Sequence, residues 1–282
     1  MRHLYLHLGE TQLAVLVILT AVAASLALLQ LSCRFLPRLR FEPRSSDVAQ
    51  IYGTAIGTIF SLIFALVIVS DWQNFDRLSS GVDTEVNVLD NLHQNLESWP
   101  AGLRLPAQAS LAAYVDRTVE VEWPLMAEGR RDPGSERLLA EVTALLRRHQ
   151  AASLGELPAQ QENLRLLAQA RSLRQDRIKG GVSYLDLPMW LSLSLGSGIL
   201  LGFASLLNVP SRGRHLLMQG ALGASIGVVF YLLLIYDHPF QGPGAITPEA
   251  LRSLTRQVWA DQSTPRSERF SESSSWNRAT GS

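Results

Sequence analysis

Four stretches without a single Asp, Glu, Lys or Arg constrain this chain more than anything else in it: Thr11–Cys33, Val48–Ser70, Leu187–Ser211 and His215–Tyr236. Each is 22 to 25 residues long and rich in Leu, Ile, Val, Ala and Phe. About 20 apolar residues in a helix cross a bilayer hydrocarbon core roughly 30 Å thick. Buried helices of soluble proteins rarely stay uncharged that long. The pattern predicts four transmembrane helices, near residues 12–32, 49–70, 189–209 and 215–236. The first run exceeds the roughly 7–15 apolar residues of a cleaved signal peptide. Gln30-Leu31-Ser32-Cys33 is also a poor lipoprotein cleavage box, so we read this run as a span.

The chain-wide averages conceal this order. The 282 residues are 47% hydrophobic, and 25 basic residues balance 25 acidic ones. That balance excludes a polybasic nucleic-acid binder, and one cysteine, Cys33, excludes an intrachain disulfide or a cysteine zinc site. No phosphate-binding glycine loop, nucleophile elbow or His-Glu-x-x-His motif is present. We therefore expect no enzyme, no catalytic residue, no cofactor and no bound metal. The spans hold no Asp, Glu, Lys or Arg, which argues against a proton-coupled carrier.

Charges beside the spans predict topology. Arg34, Arg38, Arg40 and Arg44 stand between spans one and two with Glu42 and Asp47, and Arg212 and Arg214 stand between spans three and four. The positive-inside rule places both short loops in the cytoplasm of a bacterial inner membrane. Both termini and residues 71–188 then face outward. Arg171, Arg174, Arg177 and Lys179 approach span three from the other side, but within a long segment where the rule carries less weight.

Residues 71–188 read as a helical extramembrane domain inserted between spans two and three. Trp72, Phe75, Val82, Val86, Leu89, His93 and Leu96 recur at helical spacing, and no proline interrupts residues 49 to 99. Span two is thus predicted to continue as one helix of about 75 Å. Further helices are expected from Pro106 through Trp123, from a Ser135 cap through Leu146, and from Pro158 to Gly180-Gly181. The predicted fold class is an all-α membrane protein. Its segments are residues 1–70 (spans one and two), 71–188 (helical bundle), 189–236 (spans three and four), 237–260 (an Asp-His-Pro-Phe segment and short amphipathic helix) and a disordered tail, 261–282.

Three sets of residues are candidates for function. Gly53, Gly57, Ser61 and Ala65 on span two, Gly198 and Gly202 on span three, and Gly223 and Gly227 on span four let helix backbones approach closely, within the chain or between copies. Ile56, Phe60 and Phe64 form a second row on span two: lipid-facing bulk, or the apolar constriction of an oligomeric pore. Asp71 and Trp72 close span two, and Asp237 and His238 follow span four. They read as a charged pore mouth or interface, a small cation site, or plain interfacial anchoring.

Several of these residues carry a resemblance to a family of bacterial four-span membrane proteins called bestrophin-like. The chain is similar to it in Asp47-Val48-Ala49, Asp71-Trp72-Gln73-Asn74-Phe75, Glu122-Trp123-Pro124 and Asp237-His238-Pro239-Phe240-Gln241-Gly242, with Pro248-Glu249 downstream. The resemblance covers roughly residues 10–255. It implies a distant likeness to bestrophins, oligomeric anion channels whose pore is lined by span two. It thereby implies a homo-oligomer in a lipid bilayer, an inorganic anion as the permeant, and Ile56, Phe60 and Phe64 as pore lining. Bestrophins keep their termini in the cytoplasm, opposite to the placement the arginines give here. The alternative function is a non-conducting sensor or scaffold whose helical domain binds a partner. A membrane enzyme is the least favoured reading.

Overall fold

The computed structural model describes residues 9–36, 46–127, 129–149, 156–181, 185–207, 209–242 and 244–259. These residues are helical with short connections, and no strand occurs among them. Four helices are long and apolar enough to cross a membrane. The described residues fall into two compact units, one drawn from Met1–Arg77 and Ser183–Ile246, the other from Leu78–Val182 and Thr247–Ser282.

The first unit holds α1 (Glu10–Phe35), the first part of α2 (Ser46–Glu97), α7 (Leu187–Leu206) and α8 (Arg212–Tyr236). Helix α1 opens with Glu10 in its first turn and closes with Arg34 in its last, complementing the helix dipole. Gln12 reaches back to accept the Gly9 N–H at 3.2 Å. Span three ends at Leu206 instead of residue 209, with Leu207 in an extended conformation.

Spans one, three and four are held by small residues and by polar contacts. A Cβ on Gly223 would lie 2.6 Å from Ser25 Cβ, and one on Gly227 would lie 2.9 Å from Ile18 Cα. Those two glycines admit span one against span four. Between them the Ser25 hydroxyl donates to the Gln219 carbonyl at 2.8 Å. The Gln219 amide donates to the Leu201 carbonyl at 3.1 Å, and the Ser32 hydroxyl to the Ser205 carbonyl at 3.2 Å. His215 Nε2 lies 3.3 Å from the Ala204 carbonyl. In a hydrocarbon phase a buried amide without a partner is costly, so these contacts fix the register of three spans.

The second unit holds the remainder of α2, then α3 (Ala101–Arg117), a π-helical turn (Thr118–Glu122), α4 (Trp123–Ala127), α5 (Pro133–Arg148), α6 (Glu156–Gly180) and α9 (Glu249–Ser253) with a second π-helical segment (Leu254–Trp259). Its core is apolar: Leu89, Leu92 and Leu96 of α2 are fully buried, as are Leu111 and Tyr114 of α3 and Leu139 and Leu146 of α5. The short final helix adds Leu251, Leu254 and Trp259. Trp259 stacks on His93 with ring centroids 4.5 Å apart and donates its indole N–H to Asp90 at 3.2 Å.

Three helix starts differ from the sequence expectation. Helix α3 begins after Pro100, whose carbonyl accepts from Leu103 and Arg104 N–H, and Pro106 lies inside it. Helix α5 is capped by Asp132, which accepts the Ser135 N–H at 2.9 Å, so Ser135 is the capped residue and not the cap. Helix α6 begins at Glu156, ahead of Pro158, and ends as expected at Gly180, with the Gly181 N–H donating to Arg177 and Ile178. Near Pro124, which has no N–H to give, the Trp123 N–H donates to the Thr118 carbonyl five residues back. The expected tail, residues 261–282, lies outside the described residues.

A buried ion network crosses the second unit. Arg177 pairs with Glu85 at 2.8 Å and Glu122 at 3.2 Å, and Arg174 pairs with Glu122 at 2.5 Å. Arg174 also donates to the Asp132 carbonyl at 3.0 Å, while Arg117 reaches the Asp132 carboxylate at 2.5 Å. Tyr114 completes the set by donating to Glu85 at 2.7 Å. Burial works against the Arg177 charge, but Glu85 and its neighbours outweigh it and hold the guanidinium above its ordinary value. Burial first, then Glu85, pushes the Tyr114 phenol well up. With every charge answered, the network is a registry device for the helices that supply it.

Candidate functional site

The candidate surface on span two follows from which side of α2 the other spans cover. Phe64 is 6% exposed and packs with Leu185, Leu193 and Leu233. Its ring meets Phe60 edge-on at 4.7 Å and Phe230 at 5.8 Å. Phe60 lies over Gly196 of span three, where any Cβ would collide with the ring. Ile56 and Phe60 are half-buried. Of the expected row Ile56, Phe60, Phe64, the two rings are therefore turned toward spans three and four of the same chain.

The opposite side of α2 is open within the chain. Ile51, Ala55, Thr58, Leu62, Leu66 and Val69 are exposed at steps of three and four residues, which is one helical face. Only 6% of the span-two window is buried, against 17% to 28% for the other three spans. Beside this row run Thr54, Ser61 and Ala65, also exposed. The hydroxyls of Thr54 and Thr58 donate to Gln50 and Thr54 carbonyls at 2.9 Å and 2.8 Å, and that of Ser61 to Thr58 at 3.0 Å. Their polarity is thus folded back on the helix, leaving a shallow, small-residue surface.

The small-residue stripes divide between the two sides. Gly53 faces Phe203 of span three, and Gly57 makes ordinary contact with Leu200, 3.7 Å from where its Cβ would be. Ser61 and Ala65 lie on the open side. Gly223 and Gly227 admit span one, Gly202 comes to 3.9 Å of Leu28, and Gly198 has open space.

The second candidate set gathers where span two ends and the chain leaves span four. Asp237 is fully buried, and its Oδ1 accepts the Leu185 N–H at 2.6 Å. His238 Nδ1 lies 3.5 Å from Asp237 Oδ2. Asp71 is also fully buried, within the electrostatic reach of Asp237, and neither of its carboxylate oxygens has a hydrogen-bond partner. Trp72, one residue on, is 48% exposed, as an interfacial anchor requires. Phe75 meets Tyr236 edge-on at 5.6 Å. The turn after His238 is compact: the Ile246 N–H donates to the Pro239 carbonyl at 2.7 Å, and Gly242 and Gly244 take φ of 74° and 81°, which only glycine adopts freely. Among the described residues no group of three or more His, Cys, Asp or Glu is arranged to hold a metal ion.

Spacing did not reveal Gly196, Ser25, His215 and Gln219, nor the buried pairs of Glu85 and Glu122. The one signal available was Gln219 itself, an amide in an otherwise uncharged span, which calls for a partner helix.

Comparison with known proteins agrees with this architecture. A family profile described as the Bestrophin-like domain matches residues 19–251, and the chain belongs to that family. The fold is similar to a crystal structure of a variant bacterial Bestrophin homolog from Klebsiella pneumoniae. Identity is 12%, coverage is 89% of this chain and 99% of that one, and the TM-score is 0.67. A second variant of that homolog matches at 12% identity, 89% and 97% coverage and TM-score 0.58. A crystal structure titled only as a membrane protein variant matches at 14% identity, 86% and 99% coverage and TM-score 0.56. No curated protein sequence gives a significant match. The chain is accordingly a membrane protein of bestrophin-like fold.

Proposed function

We propose that this protein is a homo-oligomeric ion channel, with span two of each copy standing around a common axis and an inorganic anion as the permeant. The observation that carries the reading is the open, uncharged face of α2, with Thr54, Thr58, Ser61 and Ala65 beside Leu62 and Leu66. Small and hydroxyl-bearing residues suit the close approach of a second helix, or of water, better than they suit lipid tails. The apolar members Ile51, Leu62 and Leu66 supply a constriction of the kind that gates by dewetting. Phe60 and Phe64 then stand behind that surface and brace it against spans three and four. Family membership supports the same assignment.

The test is ion flux into proteoliposomes containing the full chain, with its copy number measured in detergent. We expect more than two copies, anion flux, and a changed rate in Leu62→Ala and Thr58→Val. A monomer or dimer, or no flux from the wild type and both variants, would sink the reading. Orientation is tested separately. The arginines at 34, 38, 40, 44, 212 and 214 support placing both short loops in the cytoplasm. Cys33, partly exposed, then resists a membrane-impermeant thiol reagent applied to intact cells and reacts once they are opened.

A further inference from the structure

The end of span two and the segment leaving span four bring two acids together in a way that the channel reading does not use. Asp71 is the first residue past the uncharged stretch. It is 0% exposed, and both its carboxylate oxygens lack a donor. Asp237, equally buried, has Oδ1 on the Leu185 N–H at 2.6 Å and Oδ2 3.5 Å from His238 Nδ1. The charge that bears on Asp71 is that of Asp237. These elements carry further titratable groups. Asp186 stands at the N-cap position of span three next to Leu185 with no side-chain capping bond, and the ring of Tyr236 meets that of Phe75. On α2 itself Asp76 and Arg77 are exposed, and Arg77 is bonded to Asn74 at 2.8 Å.

An ionised carboxylate out of water with no donor is strongly disfavoured, and a second carboxylate beside it makes matters worse. Either a cation or a proton must compensate. A hard cation asks for about six oxygen ligands, and among the described residues no group of three or more acidic, His or Cys side chains is arranged for one. A proton asks only for the oxygen already present. We propose that Asp71 and Asp237 form a proton-binding site, with the proton resident on Asp71, the member without a donor.

Burial first, and Asp237 second, push Asp71 up to about 7, so the site exchanges its proton near neutral pH. Losing that proton places a second negative charge beside Asp237. The repulsion acts where the end of span two, the end of span four and the approach to span three at Leu185 meet. The site stands whether or not the protein conducts.

Infrared difference spectroscopy of the full-length protein in lipid nanodiscs, titrated with pH, tests this by the carbonyl stretch that a neutral carboxylic acid has and a carboxylate lacks. We expect a band present at about pH 6 and lost by about pH 8. Asp71→Asn abolishes it. Asp237→Asn removes the repelling neighbour and moves its midpoint down. Absence of the band from the wild type at about pH 6 overturns the proposal. So does a band that Asp71→Asn leaves in place. The first of these readings needs no variant, so a variant that fails to fold does not protect the idea.

Discussion

The ring of Phe60 on span two occupies the space that a side chain at Gly196 on span three would need. The relationship is reciprocal. Seven residues away on each helix, Phe203 of span three lies over Gly53 of span two. Each span thus offers one knob and one notch, and the pairing fixes their mutual depth and rotation.

Gly196→Ala should therefore destabilise the first unit by about 1–3 kcal/mol, the usual cost of overpacking. Shrinking the knob at the same time, as Phe60→Leu with Gly196→Ala, should recover at least about 0.5 kcal/mol of that loss through coupling between contacting sites. Thermal unfolding in detergent of the two single variants and the double variant measures it. Strict additivity would show that the pair does not interlock.

Span four separates a polar contribution from a steric one. Gln219→Leu removes the hydrogen bond its side-chain amide donates to the Leu201 carbonyl, and interhelical hydrogen bonds in membranes average about 0.6 kcal/mol. Gly223→Ala instead drives a methyl toward Ser25 Cβ and the Ala21 carbonyl, with no flexible chain end to yield, at about 1–3 kcal/mol. The glycine variant should be the less stable of the two in the same unfolding assay.

Removing the central cation of the buried ion network should be worse than either. Arg177→Met leaves the buried Glu85 without a cation, while Glu122 keeps Arg174, with an expected loss of about 3–5 kcal/mol. Tyr114→Phe deletes one hydrogen bond to Glu85 and should cost about 1–3 kcal/mol, because it leaves a buried acceptor short of a donor. Melting temperatures should order as wild type, Tyr114→Phe, Arg177→Met.

Acid should act through Asp132. The Arg117 guanidinium hydrogen-bonded to it, aided by the Ser135 donors, holds this carboxyl well below the usual range. A depressed folded-state value means the stabilisation is complete above the unfolded value of about 3.9. It drains away as pH falls from there toward the lower folded value. Asp132→Asn should be less stable than wild type at neutral pH and show a flatter stability profile below about pH 4. Circular dichroism melts across that range check both.

The membrane spans were legible because a bilayer enforces a length and forbids charge, two properties that survive in a string of letters. Thr11–Cys33 and Val48–Ser70 fall inside α1 and α2 for that reason. The ion network was not legible. Arg177 and Glu85 are 92 positions apart, and Arg174 and Glu122 are 52 apart, so spacing says nothing of their meeting. Read along the chain, Arg174 and Arg177 are helix charges approaching span three; in the fold they are 5% and 2% exposed. The row Ile56, Phe60, Phe64 was legible as a row but not as a direction. An uncharged helix gives no polar side to set against an apolar one, and only contacts such as Phe60 with Gly196 say which way it turns. Helix starts failed for a local reason: proline and serine each suit several positions near an N-terminus, so Pro106 and Ser135 were plausible while Pro100 and Asp132 do the work.

The π-helical turn at Thr118–Glu122 has a consequence at the level of the gene. Such a turn holds one residue more than an α-helix would need, and a residue is worth about 100° of rotation. Everything after it, beginning with Trp123 beneath Arg177, owes its facing to that surplus. Losing a single codon between 118 and 122 would leave the composition and apolar content of the segment almost unchanged. It would still swing the downstream aromatic about 100° away from the cation that now lies over it.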